Sequence, residues 1–191
     1  PYFVSIPKEE CYGVRFLISD MYNPYIRYVD KYFPNAVPVV DSFHVIQWIT
    51  HSIDMYIRKL IKKYKQRDRE LYQQKWHPIE MPSYIPPSRE VYLLQKYRWL
   101  ILANESSIIY HSDPRMDPHF HCLMNTYDYQ DALFQIDPNL QELRDLKEMY
   151  VRFNDRNAGR SMDARIELDD LIGKYYQSCN PIFFDFANLL V

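Results

Sequence analysis

Glycine is scarce in this sequence, with 3 residues among 191, and the scarcity limits the folds that the chain can adopt. Glycine supplies many of the left-handed turns that join strands in β-sandwiches and barrels. The sequence therefore argues against both architectures. Proline is plentiful instead, at 13 residues, and it divides the chain into elements with hard boundaries.

Cysteine and long apolar runs are also in short supply. The three cysteines (Cys11, Cys122 and Cys179) lie far apart and form no C-x-x-C pair, which indicates a reduced, intracellular setting. No apolar run approaches the length of a membrane-spanning helix, so we expect no membrane partner. The chain begins abruptly at Pro1 and ends inside the apolar run FFDFANLLV, so we expect it to be a piece of a longer protein.

The chain as a whole carries little net charge, but one stretch of it is strongly basic. The formal net charge is −2, yet residues 58–69 hold seven basic residues and one acid. The members of this basic stretch are Arg58, Lys59, Lys62, Lys63, Lys65, Arg67 and Arg69. Basic residues along one helix, with tyrosines nearby, suit contact with a DNA backbone. A charge run is more often a solvated helix face, and both interpretations stay open here.

Apolar residues make up 47% of the chain, enough for a core, and their order is clearest between Val14 and His44. Residues 14–18 form a nearly continuous apolar run, the pattern of a strand buried on both faces. Asn23-Pro24 predicts a helix start, and residues 36–40 predict a second apolar strand in which Pro38 favours an edge position or a strand end. Such a unit predicts two parallel strands with a right-handed connection.

Carboxylates follow both predicted strands. Asp20 comes directly after the first strand and Asp41 directly after the second. Carboxylates at adjacent strand ends can share Mg²⁺ for phosphoryl transfer, but both could instead be helix caps, a role that suits Asp41 better than Asp20. His44 lies in the first turn of the next helix, where it could approach a scissile phosphate or hydrogen-bond a neighbouring strand or loop.

The sequence after His44 predicts helices, so the expected fold class is mainly α with a small parallel β-α-β portion. A long helix capped by Asp41 or Ser42 carries an apolar stripe from Phe43 to Tyr64. Residues 76–88 hold four prolines and predict an extended connector, and Ser88 caps a helix through about Leu102. Residues 104–125 predict a loop. Later helices are expected at about 128–135, from 137–138, from 161–162 and from Asn180-Pro181.

A loop-like segment carries His111, His119, His121 and Cys122. The H-x-H-C pattern could hold zinc. No second ligand pair appears at zinc-finger spacing, so a structural or incidental role is favoured.

An ordered series of short motifs resembles the DDE insertion-sequence transposases of the ISL-three type. The series contains a strand followed by SDMYNPY, then FPNA before the second strand, then DSFHV at the start of the long helix. Further along, DPNLQELRDLKEMYVRFND resembles a helix that the family carries late in an inserted segment. The likeness is sharp over residues 1–50 and looser, but in register, to the end.

That resemblance implies an RNase H-like catalytic core in which two Asp and one Glu bind two Mg²⁺ ions. Asp20 matches the second Asp, while Asp41 and His44 match a D-x-F-H element near the active site. The first Asp and the Glu would lie outside residues 1–191, so we expect this piece alone to be inactive. The implied domains are a partial RNase H-like core (1–45), a helical insertion (46–180) and the start of a helix that returns to the core (181–191).

The sequence favours two functions from different classes over a third, a zinc protein that uses the cluster from His111 to Cys122. In the first, the chain is part of a transposase of the bacterial cytoplasm that cuts and joins DNA with Mg²⁺, and the basic stretch grips phosphates of the element ends and the target. In the second, it is a non-enzymatic helical module that binds a protein partner through a tyrosine-rich surface. Unpaired strand edges predict self-association in either case.

Overall fold

The structure is a computed structural model that describes residues 5–20, 23–77, 79–157 and 162–191. The chain divides into two compact units, Pro1–Ile49 and Thr50–Val191. Across the described residues the secondary structure is mainly helical, with one parallel pair of strands and one antiparallel pair. None of the helices in these ranges is long and apolar enough to cross a membrane.

The first unit contains the predicted strand–helix–strand arrangement. Its elements are α1 (Lys8–Gly13), β1 (Phe16–Ser19), α2 (Asn23–Tyr32) and β2 (Val37–Val40). The two strands pair in parallel, with Phe16 opposite Val37 and Ser19 opposite Val40. The predicted parallel pair, and the helix start at Asn23, are therefore confirmed.

The expectation that the first strand is buried on both faces is wrong. Phe16 is 65% exposed and Ile18 is 70% exposed, and all four residues of β2 are exposed. The reason is that β1 and β2 pair only with each other within the described residues, and a sheet two strands wide leaves its apolar residues uncovered. The buried apolar side chains of this unit include Val29 and Phe33, from α2 and the turn after it.

A 35-residue helix, α3 (Ser42–Trp76), starts where the sequence predicted. At about 1.5 Å per residue it is roughly 50 Å long, and the boundary between the two units falls inside it. Its buried side chains follow steps of three and four residues, as expected: Val45, Ile49, Ile53, Ile57, Leu60 and Ile61. Phe43 does not belong to the stripe, because Val45 takes the buried position in register with Ile49 and Phe43 stays exposed.

The helix expected from Ser88 to about Leu102 is two helices, α4 (Arg89–Lys96) and α5 (Trp99–Leu102). α4 closes with a hydrogen bond from the backbone N–H of Tyr97 to the carbonyl of Leu93, at 2.8 Å. The predicted core positions in this segment are nevertheless buried, and so is Leu93; the predicted set is Val91, Leu94, Leu100 and Ile101.

The predicted loop over residues 104–125 contains a 3₁₀ turn (Glu105–Ser107) and an antiparallel hairpin of β3 (Arg115–Asp117) and β4 (Cys122–Met124). Strands of three residues are too short for an alternating pattern to show in the sequence. The turn between them is held by the Asp117 carboxylate, whose Oδ1 accepts hydrogen bonds from the backbone N–H groups of His119 (2.8 Å) and Phe120 (3.0 Å).

Four helices complete the second unit: α6 (Thr126–Ile136), α7 (Asn139–Asn157), α8 (Met162–Gln177) and α9 (Pro181–Leu190). Their starts lie within two residues of the expected ones. Local caps mark α6 and α9: the Asn125 side chain accepts from the backbone N–H of Asp128, and the Asn180 side chain accepts from that of Ile182. α7 also buries Arg144, Lys147 and Glu148, which its apolar pattern did not predict.

The buried charges of α7 close the end of α5. Lys147 Nζ donates to the carbonyls of Leu102 (3.0 Å) and Ala103 (2.6 Å), and it lies 2.9 Å from Glu148 Oε1. Glu148 Oε1 in turn accepts from the backbone N–H of Glu105. Burial lowers the pKa of Lys147, while the neighbouring Glu148 opposes that change. Lys147 and Glu148 thus find their charge and hydrogen-bond partners within the unit, which indicates a structural role.

Candidate nucleic-acid interface and carboxylate edge

The first unit brings Asp20 and Asp41 to the same end of its sheet. They follow Ser19 and Val40, which are partners in the parallel register. The backbone N–H of Asp41 donates to the carbonyl of Ser19 at 3.1 Å, which extends the ladder beyond the strands. Since neighbouring strands lie about 5 Å apart, the two acids leave the sheet side by side.

Asp41 acts as the cap of α3. Its Oδ1 accepts a hydrogen bond from the backbone N–H of Phe43 at 2.9 Å, and its carbonyl accepts from the N–H of His44 at 3.0 Å. His44 is half-buried in the first turn of the helix, with its ring edge-on to that of Phe43. Asp20 is also half-buried, and its carbonyl accepts from Ser19 Oγ. Both acids and the histidine are thus at one edge.

The donor chemistry of this edge fits Mg²⁺, which prefers carboxylate oxygens. Within the described residues, however, no three His, Cys, Asp or Glu side chains converge into a group that could hold a metal ion. Asp20 and Asp41 therefore make an incomplete ligand set by themselves. The same finding covers the H-x-H-C segment, where the His119 ring stacks on Tyr92 and His111, His121 and Cys122 are exposed.

The basic stretch lies on the part of α3 that belongs to the second unit. Lys59, Lys62, Lys63, Lys65 and Arg69 are exposed, and none of these five forms an ion pair with an acid of the described ranges. Arg58 is exposed too, but its Nε lies 2.6 Å from Asp54 Oδ2. The exposed side chains of this part of α3 therefore carry positive charge that no acid of the described ranges pairs with.

Arg67 has a structural role, because it forms ion pairs with acids on α3 and α4. Its guanidinium lies 2.9 Å from Glu90 Oε1 on α4 and 3.1 Å from Asp68 Oδ1, and it stacks over the ring of Tyr64. The hydrogen bond to Glu90 raises the pKa of Arg67 and lowers that of Glu90. Asp68 Oδ2 also accepts from the backbone N–H of Ser88 at 3.1 Å. These contacts hold the end of the connector against α3.

A groove of about 860 Å³ lies between α3 and the connector. One wall carries Arg58, Lys62, Lys65 and Arg69, and the other is formed by residues 82–87. Ile61 and Val91, both buried, also line the groove. Tyr84 belongs to the connector wall, with 70% of its surface exposed.

The basic stretch and the extended connector are both predicted by the sequence, but the groove between them is not. The spacing of residues 58, 62, 65 and 69, in steps of four, three and four, places them on one helix face and was available from the sequence. The pairing of Asp68 with Ser88 joins positions 20 residues apart, and no local pattern predicts it.

Comparisons with known proteins identify a family. A family model described as a transposase, of the DDE ISL3 type, matches residues 1–190. No curated protein and no solved structure matches the chain.

Proposed function

Because the chain belongs to the ISL-three family of DDE transposases, we propose that it takes part in Mg²⁺-dependent cutting and joining of DNA during transposition. The observation that carries the proposal is the match over residues 1–190 together with two carboxylates at neighbouring strand ends. Ends of parallel strands are the usual place for chemistry in open α/β sheets.

In this proposal Asp20 is a metal ligand, and Asp41 and His44 shape its surroundings. Asp41 uses Oδ1 to cap α3, which fixes the backbone beside the proposed metal ligand. A bound Mg²⁺ pair would activate the attacking oxygen and stabilise the leaving oxygen of the phosphodiester. The family resemblance implies an RNase H-like core and two further carboxylate ligands outside residues 1–191, so the chemistry belongs to the whole transposase.

The proposed role of the basic stretch is to hold DNA phosphates. Five of its seven cations are exposed without an ion pair in the described ranges, so they are available to a polyanion. The alternative of a tyrosine-rich protein-binding surface has weaker support, because several tyrosine hydroxyls are engaged internally. Tyr56 donates to Asp137 at 2.7 Å and Tyr175 donates to the carbonyl of Leu146 at 3.1 Å.

The catalytic part of the proposal is tested with Asp20→Asn in the whole transposase. The change keeps the shape of the side chain but removes its charge, and we expect strand cleavage to fall by about a hundredfold or more, since metal-assisted stabilisation supplies several kcal/mol. Asp30→Asn, at an exposed acid of α2, is the matched control. Wild-type cleavage in the Asp20 variant would rule out Asp20 as a ligand.

The DNA-binding part is tested by a salt titration with duplex DNA and the chain itself. Contacts to phosphates release counterions, so the affinity should fall steeply and linearly on a double-logarithmic plot. A protein-interaction module would show no such binding. Absence of salt-dependent binding would therefore remove the DNA-holding role and favour the protein-partner alternative.

A further inference from the structure

The four groove-lining cations of α3 are the beginning of a longer stripe. Positions 58, 62, 65 and 69 are followed on the same helix face by Tyr72 and Trp76, at further steps of three and four. Tyr72 and Trp76 lie 6.4 Å apart between ring centroids, and Trp76 is exposed. The stripe therefore passes from charged side chains to the half-buried ring of Tyr72 and the exposed ring of Trp76.

The opposite wall presents a third aromatic ring on a stiff backbone. Residues 82–87 contain Pro82, Pro86 and Pro87, and each proline fixes its own φ angle. Tyr84 stands between them with most of its ring surface in solvent. The ring thus lies in the same groove as the cations, on the other side.

Asp68 is the acid that lines the groove among the described residues, and it does not cancel the charge of the α3 wall. Asp68 gives Oδ1 to Arg67 and Oδ2 to the backbone N–H of Ser88. Arg58 shares Asp54 with Arg98, which lies 3.4 Å from Asp54 Oδ1. Lys62, Lys65 and Arg69 have no ion pair with an acid in the part of the chain that the structure describes, so they carry the positive charge of the groove.

We propose that this groove binds a single-stranded segment of DNA, with phosphates along the α3 wall and a base stacked on Tyr84. A groove that combines a cationic track with exposed aromatic rings is the usual arrangement for single strands, because any base can stack on such a ring. The inference rests on the proposed function, since only a role in DNA chemistry makes a DNA strand the expected polyanion.

The size of the groove favours a single strand over a duplex. Its volume is in the range of about 300–1,000 Å³ that encloses a small molecule, so a duplex could only lie across the opening. From residue 58 to residue 69 the helix rises roughly 16 Å, a distance that spans a few phosphates of one strand. A short extended segment of DNA, of a few nucleotides, matches both dimensions.

The charge side of the proposal is tested with two matched double variants of the full chain. Lys62→Ala/Lys65→Ala removes two cations from the groove, whereas Lys8→Ala/Lys174→Ala removes two exposed lysines, of α1 and α8, that lie outside the basic stretch and do not line the groove. Binding of a fluorescent thymidine oligonucleotide is measured by anisotropy over a range of salt. We expect the first pair to reduce the slope of log affinity against log salt by about 1.4, and the second to leave it nearly unchanged.

The stacking side is tested with Tyr84→Ala, and Tyr84→Phe serves as the conservative variant. We expect Tyr84→Ala to weaken oligonucleotide binding roughly tenfold and Tyr84→Phe to restore it, because the ring rather than the hydroxyl is used. Tyr127→Ala, at another exposed tyrosine of the same unit outside the groove, should leave binding unchanged. An oligonucleotide carrying 5-iodouracil should photo-crosslink to Tyr84, and peptide mapping reads this out independently of affinity.

Three results would each contradict the single-strand inference but leave the proposed function standing. They are an equal change of the salt-dependence slope in the two lysine pairs, no effect of Tyr84→Ala on binding, and tighter binding of duplex DNA than of single-stranded DNA. Competition by a polyglutamate peptide as strong as that by the oligonucleotide would assign the groove to acidic protein segments instead. Loss of all salt-dependent DNA binding in the wild-type chain would contradict the proposed function itself.

Discussion

The two units of this chain differ in how far they bury their apolar side chains. In residues 50–191 the helices bury a dense aromatic cluster, in which Tyr175 lies 5.1 Å from Phe183 and 5.4 Å from Phe186 between ring centroids. In residues 1–49 the strand residues Phe16 and Ile18 are largely in solvent. The contrast shows that an apolar sequence predicts a strand but does not by itself predict that the strand is buried. Burial depends on which other elements pack against that strand.

The sharpest test of this contrast is Phe186→Ala. Phe186 is fully buried in α9, and its loss leaves a cavity among the rings, so we expect the free energy of unfolding to fall by about 4 kcal/mol. Phe184→Ala, two positions earlier and 49% exposed, is the matched control and should change it by less than about 1 kcal/mol. Equal effects in thermal or urea unfolding would mean that the aromatic cluster does not stabilise the unit.

A smaller effect is expected at the polar centre of the same unit. Asp117 Oδ2 accepts hydrogen bonds from the hydroxyls of Tyr92 (2.9 Å) and Tyr129 (2.7 Å), while Oδ1 holds the turn of the hairpin. Asp117→Ala leaves these donors without their acceptor and should lower the free energy of unfolding by about 2–3 kcal/mol. Asp113→Ala, at an exposed acid nearby in sequence, should have little effect.

The Asp117 contribution should also depend on pH. Burial alone would raise the pKa of the carboxyl, but the hydrogen bonds, led by that from Tyr129, outweigh it and hold the pKa at about 2. The pKa of Asp117 in the folded protein lies below its value of about 4 in the unfolded chain. The ionised carboxylate therefore stabilises the fold fully above that value, and the stabilisation is lost as the pH falls toward 2. The stability difference between the wild type and Asp117→Ala should therefore narrow over that window, and a constant difference would contradict the assignment.

The smallest effect on stability is expected in the first unit, at the exposed strand residues. Phe16→Ala should change the free energy of unfolding by no more than about 0.5 kcal/mol, since its ring is mostly in solvent already. Its effect should appear in association instead. Ile18→Lys places a charge on the exposed sheet and should shift the chain toward the monomer in sedimentation velocity, while Lys8→Ala, at an exposed position of α1, should not. An unchanged distribution would argue against self-association through this sheet.

The features that the sequence predicted correctly are those set by neighbouring residues. Asp41 and Asn180 mark helix starts because the hydrogen bonds of a cap act within one turn, and α2 starts at Asn23 as predicted. The middle of the buried face of α3, from Ile49 to Ile61, followed from spacing alone. Near its ends Phe43 is exposed, Ile46 and Tyr64 are half-buried, and Val45 is buried instead. In the candidate site, the same local logic placed Asp20 and Asp41 after the two paired strands.

The features that were missed depend on distant partners or on very short elements. The hairpin of β3 and β4 is closed by a turn in which His121 has a positive φ of 52°, and no glycine signals it. The exposure of β1 and β2 follows from the lack of further paired strands in the described ranges. The groove exists because Asp68 holds Ser88, a contact that the periodicity of α3 does not reveal.

The connector has a consequence for the entropy of binding. Three prolines, together with the extended backbone that each imposes on the residue before it, restrict most of the positions from 81 to 87 even in the unfolded chain. Little conformational freedom is then left for a ligand to remove when it contacts this wall. The segment without regular secondary structure is thus a largely preorganised surface, in which stiff proline-bearing stretches flank Tyr84 on both sides.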